Sequence, residues 1–218
     1  MIVGINGYSG SGKDTIGIMI QYLKCTNKGN VSIEEAINDY ENHEWWLEEQ
    51  SEWEIKKFAG KLKDIASHLT GIDIEDFEDQ EFKKTNLGPE WALNSSPMSV
   101  RDFLQKLGTD GLRNGLHDNV WVNALMSDYK LIEYGDDEQG HYPNWVITDV
   151  RFPNEAIAIK DKGGIIIRVD RPGVGPINDH PSEIGLDKWK FDYKIANVSD
   201  IPTLMFTVQN ILKFHKTI

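Results

Sequence analysis

The stretch from Ile2 to Leu23 limits the possible folds more than any other. Ile2-Val3-Gly4-Ile5-Asn6 is a short, β-branched run that gives way at once to Gly7-Tyr8-Ser9-Gly10-Ser11-Gly12-Lys13-Asp14-Thr15. Beyond it Ile16, Met19, Ile20 and Leu23 recur at helical spacing. An unbroken apolar strand is the kind buried on both faces of a parallel sheet, so the expected order is strand, glycine loop, helix. The loop follows the pattern G-x-x-x-x-G-K-[ST] except that Asp14 takes the last place. Glycines let backbone N–H groups turn inward around phosphate oxygens, the helix N-terminus adds partial positive charge, and Lys13 offers a mobile ammonium. An anionic triphosphate suits such a loop, with Gly10, Ser11, Gly12, Lys13, Asp14 and Thr15 around it. Where a hydroxyl normally touches Mg²⁺, Asp14 would present a carboxylate, directly or through a water. Thr15 cannot simply replace it, being turned by about 100° around the helix.

The remainder alternates in the same way. Strands are expected at 55–58, 145–150, 164–170 and 191–196, and helices at 61–69, from Ser99, after Pro153, and at 201–214. On 61–69 the residues Leu62, Ile65, Ala66 and Leu69 share one side. Ser99 and Asp102 form a capping-box-like pair ahead of the stripe Val100, Phe103, Leu104, Leu107. Such alternation favours an α/β, three-layer fold, with a mainly parallel five-stranded sheet and helices on both faces. A single domain over 1–218 is expected. Within it, roughly 30–115 would hold a helical insertion, and the Pro/Gly-rich 171–187 a lid-like loop.

Charge narrows the partners. Of 35 acids, nine lie in 34–54 and six in 73–81, both stretches without Lys or Arg, which leaves 20 acids against 23 bases elsewhere. A net charge of −12 disfavours nucleic acid, which needs a broad basic surface, yet permits a small basic pocket. The acidic stretch 34–54 reads as an exposed helix with Trp45, Trp46 and Trp53 packed inward. Cys25 is the only cysteine, so no intrachain disulfide or cysteine zinc site can form. Met1 runs straight into Ile2 without a basic leader, and no run of about 18 uncharged apolar residues occurs. A cytoplasmic setting is expected, with neither secretion nor membrane insertion; the oligomeric state is open, a homodimer included.

All five arginines, Arg101, Arg113, Arg151, Arg168 and Arg171, fall between 101 and 171. Planar guanidinium groups suit the charge that phosphoryl transfer spreads over equatorial oxygens. Helical spacing places Arg101, Gln105 and Gly108 on one face, away from Phe103 and Leu107, so Arg101 can point into a cleft; a solvated arginine paired with a neighbouring acid is the plainer alternative. Asp149 and Arg151 are two apart at the end of an expected strand and so share a face. Asp149 could position a magnesium-bound water or a substrate hydroxyl, and Arg151 an acceptor phosphate; a structural ion pair is the alternative. Arg171 enters the Pro/Gly loop, where it could fold over the triphosphate.

The order of these motifs resembles the tailed-phage deoxynucleoside monophosphate kinase family. The likeness is carried by Gly12-Lys13-Asp14-Thr15, Phe58-Ala59-Gly60-Lys61-Leu62-Lys63-Asp64, Ser99-Val100-Arg101 running into Leu107-Gly108-Thr109-Asp110, Trp121-Val122, Thr148-Asp149-Val150-Arg151, Arg171-Pro172-Gly173 and the segment around Asn197. It implies ATP with Mg²⁺ at the loop, the metal near Asp14 and Asp149. It also implies a nucleoside monophosphate near Lys63, Arg101, Gly108, Thr109, Trp121, Asp149, Arg151 and Glu155, Arg171 in a lid, and Asn197 near adenine. Lys13, Arg101, Arg151 and Arg171 would then carry catalysis. A kinase of another small metabolite, such as dephospho-coenzyme A, and a noncatalytic ATP switch are the alternatives.

Overall fold

The computed structural model describes residues 1–27, 29, 31–132 and 140–215, which form two compact units, 1–57 with 129–218 and 58–128. The first unit is built on five strands, β1 (Ile2–Asn6), β2 (Trp53–Lys56), β3 (Asn144–Ile147), β4 (Ile165–Asp170) and β5 (Tyr193–Ala196). Their order among the described residues is β2-β3-β1-β4-β5, and all four pairings are parallel. β1 therefore lies in the middle and delivers the glycine loop to the carboxyl edge of the sheet, where parallel α/β folds bind ligands.

Alternation along the strands separates the two faces. Val3, Ile5, Ile165, Ile167 and Val169 pack against Ile16, Met19 and Ile20 of α1 (Lys13–Leu23) and against Leu204, Val208 and Leu212 of α9 (Ile201–Phe214). On the opposite face α7 (Pro153–Asp161) covers β1 and β4. Gly4 lies under it so closely that a Cβ there would come within 2.8 Å of the Ile159 and Ile166 δ-methyls. The layers are those expected: helix, parallel sheet, helix. No helix of the described residues is long and apolar enough to cross a membrane.

Several elements depart from expectation. The acidic stretch forms two helices, α2 (Ile33–Asn38) and α3 (Tyr40–Gln50), instead of one. Ser32 and Glu35 build a capping box that starts the first. Trp45 is 65% exposed, Trp46 half-buried, and Trp53 belongs to β2, so the tryptophans do not share an inward face. β3 stops at Ile147 instead of reaching Val150, because Val150 N donates to Ile5 O at 3.1 Å and Asn6 Nδ2 to Val150 O at 2.6 Å. Thr148 and Asp149 thus lie in a turn, and no strand pleat sets Asp149 and Arg151 on a common face.

The second unit contains α4 (Gly60–Thr70), α5 (Val100–Gln105), a π-helical continuation Lys106–Asn114, and α6 (Val120–Met126). Ser99 caps α5, accepting from Asp102 N at 3.1 Å. Its core is Ala66, Phe77, Val100 and Phe103, with Trp91 edge-on to Phe103 at 5.0 Å. On α4, Ile65 and Leu69 face solvent while Lys63 is buried, so the expected apolar side is only partly used. The π-helical geometry from Lys106 ends the 3.6-residue spacing that aligned Gly108 with Arg101, and Gly108 packs instead against Leu62.

Candidate active site

In the first unit the glycine loop has the backbone its sequence requires. Gly10 and Gly12 have φ of 79° and 97°, left-handed values that side chains rarely adopt. A Cβ on Gly12 would also collide with the Asn197 amide. Asn197 holds the loop from β5, donating Nδ2 to Ser11 O at 2.9 Å while its own N–H reaches Asp170 O at 2.7 Å. Arg171 Nη1 lies 3.4 Å from Gly10 O. Ser11 is buried, and among the described residues its hydroxyl has no hydrogen-bond partner. A buried hydroxyl left unpaired costs about 1–3 kcal/mol, so the loop is one acceptor short of satisfaction.

Lys13 opens α1 and donates Nζ to Tyr8 O at 2.8 Å. Burial, with Arg151 as the second cause, lowers its pKa from 10.5 to about 8, against the opposing pull of Asp14, Asp149 and Glu183. Four charged groups therefore act on one ammonium. Asp14 Oδ1 accepts from Thr148 Oγ1 at 2.8 Å and lies 3.6 Å from Lys57 Nζ. Thr15 is half-buried in the first turn of α1.

Arg151 is held from three directions. Its backbone N donates to Glu155 Oε2 at 2.8 Å, and Phe152 N reaches the same oxygen at 3.1 Å. Glu155, 2% exposed, is thereby the residue that fixes the start of α7. Arg151 Nη1 lies 3.3 Å from Glu183 Oε1, on the short helix α8 (Pro181–Ile184), and a Cβ on Gly185 would come within 2.7 Å of Arg151 O. Sequence reasoning missed Glu183, Thr148 and Lys57. Their pairings join segments far apart in the chain, which spacing cannot reveal.

Arg168 is engaged by other residues of the chain. Its Nε donates to Asp170 at 2.8 Å, its Nη1 to Asn6 Oδ1 at 2.6 Å, and the guanidinium lies 4.3 Å from the Tyr8 ring centre. Asp187 joins it at 3.6 Å and accepts from the Tyr8 hydroxyl at 2.9 Å. This buried cation clasps β1, the glycine loop, β4 and the segment after α8. Arg168→Leu should lower unfolding stability by roughly 3 kcal/mol, the scale of breaking a buried charge cluster. A urea midpoint equal to the parent's would show the clasp to be dispensable.

Within the second unit, Lys63 Nζ pairs with Glu78 Oε1, and Arg101 Nη2 donates to Gln80 Oε1 at 3.0 Å. Glu78 and Gln80 come from the acidic segment 73–81, which thus supplies partners to two of the expected site residues. Trp121, 5% exposed, donates Nε1 to Gly108 O at 2.9 Å, and Thr109 is buried beside it in sequence. Arg113 is buried too, with Nη1 on Asp118 O at 3.0 Å.

A family model described as deoxynucleotide monophosphate kinase matches residues 55–208, a span that includes every expected site residue from Lys63 onward but begins after the glycine loop. A putative deoxynucleotide monophosphate kinase of Acanthamoeba polyphaga mimivirus is 33% identical over 150 residues, covering 65% of this chain and 74% of that protein. The deoxynucleotide monophosphate kinase of Enterobacteria phage T4 is 31% identical over 158 residues, 67% of this chain and 61% of its own length. The deoxynucleoside-5'-monophosphate kinase of Escherichia phage T5 is 25% identical over 253 residues, covering 96% of this chain and 95% of that protein.

Proposed function

Since the chain belongs to the deoxynucleotide monophosphate kinase family, we propose that it transfers the γ-phosphoryl group of ATP to a deoxynucleoside monophosphate, giving the diphosphate and ADP. The observation that carries this reading is the glycine loop itself, with left-handed Gly10 and Gly12 leading into Lys13 and with Asp14 held by Thr148. The loop fits a triphosphate: its glycines adopt left-handed backbone, and an anion seated there offers the buried Ser11 hydroxyl an acceptor. Asp14 and Asp149 are hard oxygen donors of the kind Mg²⁺ takes alongside substrate phosphates. Held by Asp14 and Asp149, the metal would supply positive charge against the phosphates.

The chain's own contribution is alignment and charge. Gly10, Ser11, Gly12 and Thr15 form the triphosphate cradle, which Asn197, expected near adenine, shapes by holding the Ser11 carbonyl. Lys13 and Arg171 bring positive charge to the transferring group. An oxygen of the acceptor phosphate attacks the γ-phosphorus in line as the bond to the β–γ bridging oxygen breaks, and ADP leaves. The attacking oxygen is already anionic at neutral pH, so no dedicated base is needed. Arg151 binds the acceptor phosphate, with its backbone fixed by Glu155 and Asp149 beside it in the turn. The family likeness assigns Lys63, Arg101, Gly108, Thr109 and Trp121 of the second unit to the acceptor as well.

The test is ADP release measured with ATP and each deoxy- and ribonucleoside monophosphate in turn. At least one deoxynucleoside monophosphate should raise the rate about 100-fold or more over ATP alone, as expected when binding aligns the two substrates. Equal release with and without every acceptor would contradict the reading.

A further inference from the structure

Glu183 stands outside every motif that carries the family likeness, yet it is the more deeply buried half of an ion pair. Its side chain is 3% exposed, whereas that of Arg151, 3.3 Å away, is 41% exposed. An ordinary surface pair exposes both partners and contributes little. Here the carboxylate is enclosed and the guanidinium emerges. A guanidinium carries five N–H groups in a planar fork, so one edge can rest on a carboxylate while another addresses a second anion. The surroundings fix the rest of Arg151: Glu155 holds its N–H at 2.8 Å, and Gly185, two residues beyond Glu183, leaves no room for a side chain against its carbonyl. Leu186 is buried immediately after, and Asp187 is tied to Tyr8 in the glycine loop. The Pro/Gly-rich segment is therefore fastened to the site at successive positions, with Glu183 at the guanidinium.

We propose that Glu183 is a positioning residue, whose enclosed carboxylate fixes the Arg151 guanidinium so that its outer edge receives the acceptor phosphate. The inference rests on the reading of Arg151 as an acceptor contact. Glu183 touches no reacting atom. Its effect on the acceptor passes through Arg151.

A double-mutant cycle tests this, using the best deoxynucleoside monophosphate from the acceptor panel. Glu183→Gln, which keeps shape and removes charge, should lower kcat/KM for the acceptor by about tenfold, the scale of one charge-assisted hydrogen bond, mainly through KM, with KM for ATP within about twofold of the parent. Glu183→Asp, which keeps charge and alters shape, should stay closer to the parent than Glu183→Gln. In an Arg151→Ala background Glu183→Gln should have no further effect on acceptor kinetics. Additive losses, or Asp faring worse than Gln, would show that the residue merely packs and would overturn the inference. An impaired Arg151→Ala beside an unimpaired Glu183→Gln would overturn it alone, whereas parental acceptor kinetics in Arg151→Ala would remove the reading beneath it. Should Glu183→Gln fail to fold, Glu183→Asp against the parent in the same Arg151→Ala cycle carries the decision.

Discussion

Lys13→Ala should lower kcat/KM for ATP by about 10³-fold, the upper range for removing one group that meets developing charge in a water-excluded site. The loop still offers N–H groups to a phosphate, so binding is weakened more modestly than turnover. A pH profile gives the same residue a second check. Lys13 has its pKa lowered from 10.5 to about 8, chiefly by burial. The cation is the charged form, so its charge is present below about pH 8 and lost above it. Because kcat/KM reports the free enzyme, the parent's value for ATP should fall about tenfold per pH unit above that point. Lys13→Arg keeps its charge throughout and should lack this limb. A parent profile flat to pH 10 would contradict the assignment of Lys13.

Arg151→Ala should lower kcat/KM for the monophosphate by about 10²-fold and leave KM for ATP nearly unchanged. The residue is fixed through its backbone N–H, its carbonyl and its guanidinium, an unusual degree of restraint for a half-exposed arginine. Such restraint matters because orienting an acceptor oxygen can supply several kcal/mol of the barrier reduction. Arg151→Lys should recover little, since an ammonium cannot hold Glu183 with one edge and a phosphate with another. The stability clasp at Arg168 offers the contrast: a substitution there should act on folding, whereas Arg151→Ala should in addition act on acceptor kinetics.

How much of this could be read from the chain depended on how local each signal was. The glycine loop was legible because strand, glycines, Lys13 and helix are contiguous, and the terminal helix appears at Ile201–Phe214, the range expected. The parallel sheet followed from the alternation of strands and helices. What could not be read was settled by residues far apart in sequence. Arg168 has the same composition signal as Arg151, but partners from Asn6 to Asp187 make it a structural cation. The end of β3 is set by Asn6 and Ile5, not by its own residues. Lys63 is buried in place of Ile65 because Glu78, fifteen positions on, supplies the charge that its burial demands. The tryptophans of the acidic stretch were misplaced because α3 ends at Gln50, leaving Trp53 to β2, and because the adjacent Trp45 and Trp46 are turned about 100° apart on the helix.

The central claim is that one chain brings two phosphate-bearing substrates into line and moves a phosphoryl group between them. Incubating the protein with ATP labelled at the γ-phosphate, magnesium and a deoxynucleoside monophosphate, and separating the products, tests it directly. The account predicts label in the β-position of the deoxynucleoside diphosphate, one equivalent for each ADP formed. Label recovered only as inorganic phosphate, with the monophosphate unchanged, would contradict it.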